Sequence, residues 1–494
     1  VVCADERLTY GELESLTNRM AALFRTGGLQ RGDHVATLLG NRPETLAVAW
    51  AAWRCGLYLT PMSTALSAPE ASYLISDSGA RVVIADAAAV TLAAALPSMA
   101  QAPIQWWSLK GRIVGYDAIE PRLERASDRA VKNEPPGALM MYTSGTTGAP
   151  KGVIRPLLPP DWRGTAPFAA DLIDLFDLGG SDVRYLSTAP LYHAAPLRMA
   201  LSVTAGGGTI YVMDRFDAAR ALHLLQAERI THSQWVPAMF QRMLALPAAQ
   251  RKAFAAPAHR NAIHGAAPCP EPLKRAMIDW WGPILLEYYS GTEGIGLTLI
   301  DSADWLAHPG SVGRARKGTI HIVDDQGQDA QAGATGVVCF SGTAPFEYHG
   351  APEKTASRMP REGLQTFGDV GHLDADGYLY LTDRQDDMII SGGVNLYPQE
   401  IEAAIREVDG VYDCAVVGAP DPSFGERPLA FVEIDHKATA TAEDIVQAAT
   451  VHCSQRLGRF KQPVSIQVID TLPRSATGKL LRRQLRDRIR QDQE

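Results

Sequence analysis

The stretch Met141-Tyr142-Thr143-Ser144-Gly145-Thr146-Thr147-Gly148-Ala149-Pro150-Lys151-Gly152 puts four small hydroxyls, three glycines and one lysine into twelve positions, directly after an apolar run. Glycines let backbone amides approach phosphate oxygens closely, the hydroxyls add donors, and the lysine supplies a mobile point charge. The composition suits a loop that grips a polyphosphate. A featureless flexible loop would not combine so many donors with a Pro-Lys-Gly exit. It is not a Walker loop, because the Gly-Lys-Ser/Thr ending that opens a helix under the phosphates is absent.

A chain of 494 residues is too long for one core of ordinary size, so two or more domains are expected. Hydrophobic content of 46% with 21% charged residues is that of a globular protein able to bury a large core. The most hydrophobic segment, 46–62, is interrupted by Arg54 and Gly56 and falls short of the roughly 18 apolar residues a bilayer span needs, so no transmembrane segment is expected. Residues 1–7 lack the basic start and apolar core of a secretory signal, and they begin without methionine. Cys3, Cys55, Cys269, Cys339, Cys414 and Cys453 are scattered with no CxxC pair, which fits reduced thiols and a cytoplasmic enzyme. A net charge of −8 argues against general affinity for nucleic acid.

Apolar β-branched runs alternate with amphipathic segments through the first half, the pattern of an α/β protein with sheets covered by helices. Residues 35–39 read as a buried strand, Asn41 as the cap of the next helix with Glu44 as its capping partner, and Gly56 as its end. A second strand is expected at 81–85, and the alanine-rich 85–95 reads as helical. The polar run Asp383-Arg384-Gln385-Asp386-Asp387 separates the strand-like 378–381 from 388–390; such a run resists burial and can act as a hinge. Beyond it lies a small α+β pattern: a helix opened near Pro398 with Ile401 and Ile405 on one face, a strand at 414–417, a helix after Ala442 and a strand at 464–466. The division is therefore a large domain at 1–383, a hinge at 384–387 and a small mobile domain at 388–494.

Together with the loop at 141–152, three further stretches resemble the adenylate-forming superfamily of acyl-CoA synthetases, peptide-synthetase adenylation domains and beetle luciferases. They are Tyr288-Tyr289-Ser290-Gly291-Thr292-Glu293-Gly294; the run from Gly368-Asp369-Val370-Gly371 through 383–387 to Gly392-Gly393-Val394-Asn395; and Pro473-Arg474-Ser475-Ala476-Thr477-Gly478-Lys479. They keep the family's order and spacing over essentially the whole chain. The resemblance implies a large N-terminal adenylate-forming domain of packed sheets and helices, a mobile C-terminal domain, and ATP, Mg²⁺ and CoA as reactants or cofactors.

Adenylation turns a carboxylate into a good electrophile, and its obstacle is phosphate charge, so cations must be aimed at the oxygens that gain it. By resemblance Lys479 is the catalytic lysine. Glu293 would hold Mg²⁺, with Thr292 beside it near the α-phosphate; a magnesium site needs few carboxylates. Thr143, Ser144, Gly145, Thr146, Thr147, Gly148 and Lys151 would hold the phosphates, Gly265, Ala266 and Ala267 with Tyr289 the adenine side, and Asp369 with Arg384 the ribose hydroxyls. His193 resembles the histidine at the acyl entrance, and Gly392 and Gly393 the loop lining the pantetheine channel. Two positions depart from the family pattern: Ser290 stands where glycine usually follows the tyrosine, and Val394 replaces an acidic residue. The basic tail, Arg482, Arg483, Arg486, Arg488 and Arg490, reads first as a solvated helix face and second as a contact for CoA phosphates.

These features imply an AMP-forming acyl-CoA synthetase for a hydrophobic acid of the medium- or long-chain fatty, aryl or steroid side-chain type. The alternatives weighed are a ligase that loads a separate carrier protein, an inactive acyl- or nucleotide-binding homologue, and a luciferase-like oxygenase. The acyl pocket is expected to use 192–198, 235–239, 264–269 and 288–292, with Tyr192, Trp235, Met239 and Tyr289 supplying apolar area. Arg198 is their only Arg or Lys, which argues weakly against dicarboxylates. A homodimer is left open.

Overall fold

The computed structural model describes residues 1–491 except 5, 131–133, 144–149, 325, 332, 385–386, 392–393, 422–423 and 475–479, and the backbone but not the side chains of 383, 384, 390, 394, 395 and 460. Among the described residues the strands form five sheets. The run after residue 33 becomes the strand His34–Leu38, flanked by Tyr58–Pro61 and Ala80–Asp86 inside a six-stranded parallel sheet. Helices cover such a sheet on both faces, which is why its strands read as continuous apolar runs.

The helix that follows, Pro43–Arg54, departs from its expected start. Its cap is Arg42, without a side-chain bond, and Pro43 sets the first turn. Asn41 is drawn elsewhere: its amide donates to the carbonyls of Ala189 and Met213 and its oxygen accepts from Leu191 N at 2.8 Å, tying this sheet to the next. Glu44 is not a capping partner but pairs with Lys110 at 2.9 Å. Gly56 does follow the helix end, at φ +69°. The alanine-rich segment is likewise corrected: Ala85 lies in the strand Ala80–Asp86, Ala87–Ala89 make a 3₁₀ turn, and only Val90–Ala95 are α-helical. Pairing of Ala85 with Ser108 and of Asp86 with Leu109 outweighs alanine's helix propensity.

A second, nine-stranded sheet has a parallel centre that includes Arg184–Ser187, His232–Trp235, Asn261–His264 and Leu285–Ser290, with Leu297–Asp301 and Arg314–Lys317 antiparallel at one edge. The main core lies between the two large sheets, where helices Pro43–Arg54 and Ala194–Ala205 and the stacked pair Phe24 and Trp107 are buried. Truncating Phe24 to alanine would cost about 3–5 kcal/mol. Two smaller sheets adjoin the site: Met141–Thr143 with Lys151–Ile154 and Glu347–Tyr348, and the antiparallel set Thr319–Val323, Gly336–Ser341, Gln365–Leu373 and Leu379–Arg384.

From Ile389 onward the chain builds a separate sheet of Ile389–Ser391, Val394–Leu396, Val411–Asp421, Gly425–Ile434 and Ile466–Val468. Ile401 and Ile405 of helix Pro398–Arg406 pack with Ala449 and Cys453 of helix Ala442–Arg456 on its face. The strand expected at 464–466 starts at Ile466, although Val464 N already bonds to Pro428 O. The polar run is not wholly solvated. Asp387 is 5% exposed and neutralised by Arg482 and Arg486, so its burial is compensated. The same contacts correct the reading of the tail, because helix Arg482–Gln491 turns two of its arginines inward. All six cysteines are free, and no described helix is long and apolar enough to cross a membrane.

Candidate active site

The loop at 144–149 lies outside the described residues, and with it Ser144, Gly145, Thr146, Thr147 and Gly148, but its base is a ladder pair: Thr143 faces Lys151, and Tyr142 faces Gly152. A Cβ on Gly152 would stand 2.2 Å from Met140 Cε and 3.2 Å from Tyr142 Cζ, so a larger residue there would have to push the methionine aside. Helix Ala68–Ser78 braces the base, with Asp77 accepting from Tyr142 at 2.7 Å and Tyr73 donating to Pro150 O.

The strand leaving this loop leads to Glu293. Val153 pairs with Tyr348, and the Tyr348 phenol donates to Glu293 Oε1 across 2.6 Å. Burial and the facing carboxylate push the Tyr348 pKa up, so the phenol keeps its proton and remains a donor. Glu293 is 9% exposed, with Gly291 close to its Oε2. Among the described residues no group of three His, Cys, Asp or Glu forms a metal cage, so a cation here would take most ligands from substrate phosphates and water; one carboxylate fits magnesium used that way. The shifted glycine has a local cause. A Cβ on Gly291 would sit 2.5 Å from the Phe367 ring, whereas the Ser290 hydroxyl donates to Gly296 O at 2.7 Å and closes the turn.

Alternation along Leu285–Ser290 sends Tyr288 and Tyr289 to opposite faces. The Tyr289 phenol donates to Asp369 Oδ2 across 2.6 Å, and the Asp369 backbone pairs in register with that of Arg384 on the next strand. Gly265 lies against Tyr288, whose carbonyl oxygen would be 2.7 Å from a Cβ there. Ala266 has φ +71°, a strained conformation for a residue with a side chain, and Ala267 continues the turn towards helix Glu271–Trp281.

His193 precedes helix Ala194–Ala205, its ring against Tyr192 at 4.4 Å between centroids. Burial lowers its pKa to about 4, so the ring is neutral near pH 7. Further along this helix, Arg198 reaches the Thr292 carbonyl at 3.4 Å. The expected apolar lining is partly wrong. Trp235 is 1% exposed and packs with Phe240, Met239 and Trp281 in a core on the far face of the sheet, where Lys274 donates to Glu287. Period-two alternation instead places Gln234 beside Tyr288 and Tyr185, hydrogen bonded to both phenols at 3.2 Å. Sequence reasoning did not identify Tyr348, Phe367, Gln234 or Arg155 as part of the site. Strand alternation, which puts Gln234 on the face opposite Trp235, would have exposed it; Arg155 and Phe367 flank the loop at 141–152 and the segment starting at Gly368 without a signal of their own, and Tyr348 comes from a separate segment.

Gly392, Gly393 and Lys479 also lie outside the described residues. The glycines are bracketed by the pair Ser391 and Val394, and the lysine segment by a bridge between Arg474 and Leu480.

Residues 1–347 match the AMP-binding enzyme family and residues 400–479 the AMP-binding enzyme C-terminal domain. The chain is 35% identical to the long-chain-fatty-acid–CoA ligase FadD13 of Mycobacterium tuberculosis, over 98% of its own length and 93% of that protein's. It is 33% identical to a feruloyl-CoA synthase of Amycolatopsis, covering 98% of this chain and 94% of the relative. ATP-bound MatB from Rhodopseudomonas palustris superposes with a TM-score of 0.84 at 28% identity, over 100% of this chain and 96% of that one. The family models cover both the large and the small domain, the relatives align over more than nine-tenths of both chains, and the chain belongs to the AMP-binding family of adenylate-forming enzymes, among its acid–CoA ligases.

Proposed function

We propose that this ligase activates a carboxylic acid with an apolar or aromatic body in two half-reactions. The substrate carboxylate oxygen attacks the α-phosphorus of ATP, the α–β phosphoanhydride bond breaks, and pyrophosphate leaves. The CoA thiolate then attacks the acyl carbon of the mixed anhydride and AMP departs with the electron pair of the broken C–O bond. The observation that carries this reading is the link from the phosphate-loop strand through Tyr348 to Glu293, beside the Tyr289–Asp369 pair. It supports a nucleotide lying with its phosphates at Thr143 and Lys151 and its ribose at Asp369 and Arg384.

In this reading Tyr348 orients the Glu293 carboxylate, leaving Oε2 for a cation. Mg²⁺ bound there would offset phosphate charge. Lys479 would stabilise the charge gained in adenylation, with Thr292 near the α-phosphate, and His193 would guard the acyl entrance as a neutral ring. Rotation of 388–494 about 384–387 would exchange Lys479 for Gly392 and Gly393 at the site. Tyr288, Ile263 and Leu286 share one face of the sheet with the main core, and the apolar part of the acid would lie there. The named activities of the relatives, on long-chain fatty acids and ferulate, point the same way.

CoA-dependent AMP release across a panel of acids tests this. Each methylene that fits should improve kcat/KM roughly threefold to fourfold, from about 0.8 kcal/mol of burial. Better use of acetate than of any acid of about eight carbons would overturn the apolar reading.

A further inference from the structure

We propose that Arg198 and Arg155 form a cationic subsite beside the turn at 291–294, which takes a second carboxylate carried by the acid substrate. The proposal rests on the reading of the chain as an acid–CoA ligase. The two guanidinium groups come from separate segments, a helix that starts after His193 and the chain just past the strand Lys151–Ile154. They converge on one point: a Cβ on Gly294 would be 3.3 Å from Arg155 Nη2 and 3.9 Å from Arg198 Nη1.

Both arginines are half-buried, and two like charges brought together with little solvent favour a counter-charge. Among the described residues neither arginine has a carboxylate within ion-pair distance. Arg155 donates to the carbonyls of Glu293, Gly294 and Ala344, which accounts for it as a brace of the turn. Arg198 has no such account. Its guanidinium carries five N–H donors, and its one hydrogen bond among the described residues is the 3.4 Å contact with Thr292 O. Burial, and then the neighbouring Arg155, lower its pKa to about 10 against the opposing pull of the more distant Glu293 carboxylate, so it stays charged near pH 7.

Its position favours the acid over the nucleotide. Arg198 acts on the Tyr288 phenol, which shares a face with Gln234 and Tyr185. Tyr289, one residue on, points to the opposite face and holds Asp369 of the ribose pair. The Tyr288 side therefore combines apolar area with Gln234 and two guanidinium groups, and an acid with an apolar body and a terminal carboxylate matches that order of surfaces. A bidentate pair with Arg198 would supply a counter-charge in direct contact, which Glu293 does not.

The test compares matched acids on the full-length enzyme: octanoate with octanedioate, and cinnamate with para-carboxycinnamate. In at least one pair the dicarboxylate should have a kcat/KM on the order of tenfold higher or more, because a site built to bind a polar group rejects the analogue lacking it. Arg198→Leu should raise KM for that dicarboxylate by on the order of tenfold or more relative to the monocarboxylate and to ATP measured in the same variant; Arg198→Lys should recover part of the loss. The monocarboxylate serves as the folding control. Preference for the monocarboxylate in both pairs, or a rise in KM for ATP with the acid preference intact, would overturn the subsite while leaving the ligase reading in place. Absence of AMP release with every acid would overturn the ligase reading and the subsite with it.

Discussion

Arg486 donates to Asp387 Oδ1 across 2.9 Å, joining the helix that follows Lys479 to the end of the polar run that precedes the small domain. Arg482 extends the contact, facing Asp387 at 3.4 Å and donating to the buried Glu402 at 2.6 Å, while Glu402 also accepts from Val416 N and Arg406. Asp413 continues the chain of charges from Arg406 to Arg474, on the near side of the lysine segment. Both flanks of that segment are thus fastened to the body of the small domain.

Removing Asp387 takes from Arg486 its carboxylate partner and leaves Arg482 with Glu402 alone. Asp387→Ala should destabilise the small domain by about 2–4 kcal/mol, below the upper range for broken buried pairs because both guanidinium groups keep some solvent contact. Urea unfolding followed by a probe placed in the small domain would measure it. A loss under about 0.5 kcal/mol would mean that the pair is effectively solvated.

Tyr289 and Asp369 make a second testable pair. Tyr289→Phe removes one donor to a carboxylate, worth about 1.5–3 kcal/mol. KM for ATP should rise by on the order of tenfold or more, with KM for CoA unaffected. An unchanged KM for ATP would separate the pair from nucleotide binding.

The candidate site was read from two sources: the hydroxyl- and glycine-rich loop at 141–152 by its residue types, and the motif at 288–294 and Asp369 by their resemblance to the adenylate-forming superfamily. Trp235 was misplaced because an aromatic beside a site invites a lining role, while strand alternation sends it to the far core and brings Gln234 in. Asn41 was misread for a related reason: a capping residue type was judged by its helix, but its partners lie on the other sheet, at Ala189, Leu191 and Met213. Asp387 looked solvated because its two arginines lie about a hundred residues downstream. Local composition carries none of these long-range pairings.

Acid should destabilise the fold through buried histidines. Burial lowers the pKa of His232 to about 4 and of His259 to about 3, and holds His264 well below its usual value. Each folded pKa lies below the unfolded value near 6.5, so the unfolded chain binds more protons below that pH. Their contribution is complete above about pH 6.5 and is lost as pH falls toward the folded values, at up to about 1.4 kcal/mol per pH unit for each histidine. Thermal melting should be level from about pH 7 to 8 and decline steeply below about 6, with a shallower decline in His259→Gln. Equal slopes in the two proteins would show that His259 is not held neutral.

Lys479→Ala separates the half-reactions. Loss of one preorganised cation should slow adenylation by on the order of 10²-fold or more, while synthetic acyl-AMP and CoA should still give thioester at a near-normal rate. Equal damage to both steps would contradict a lysine that serves only the first.

The central claim is acyl activation through an adenylate, and isotope exchange of pyrophosphate into ATP measures it most directly. Exchange should require a carboxylic acid and Mg²⁺ together, proceed without CoA, and fall sharply in Glu293→Gln. Formation of ADP and phosphate, or exchange that ignores the acid, would contradict it.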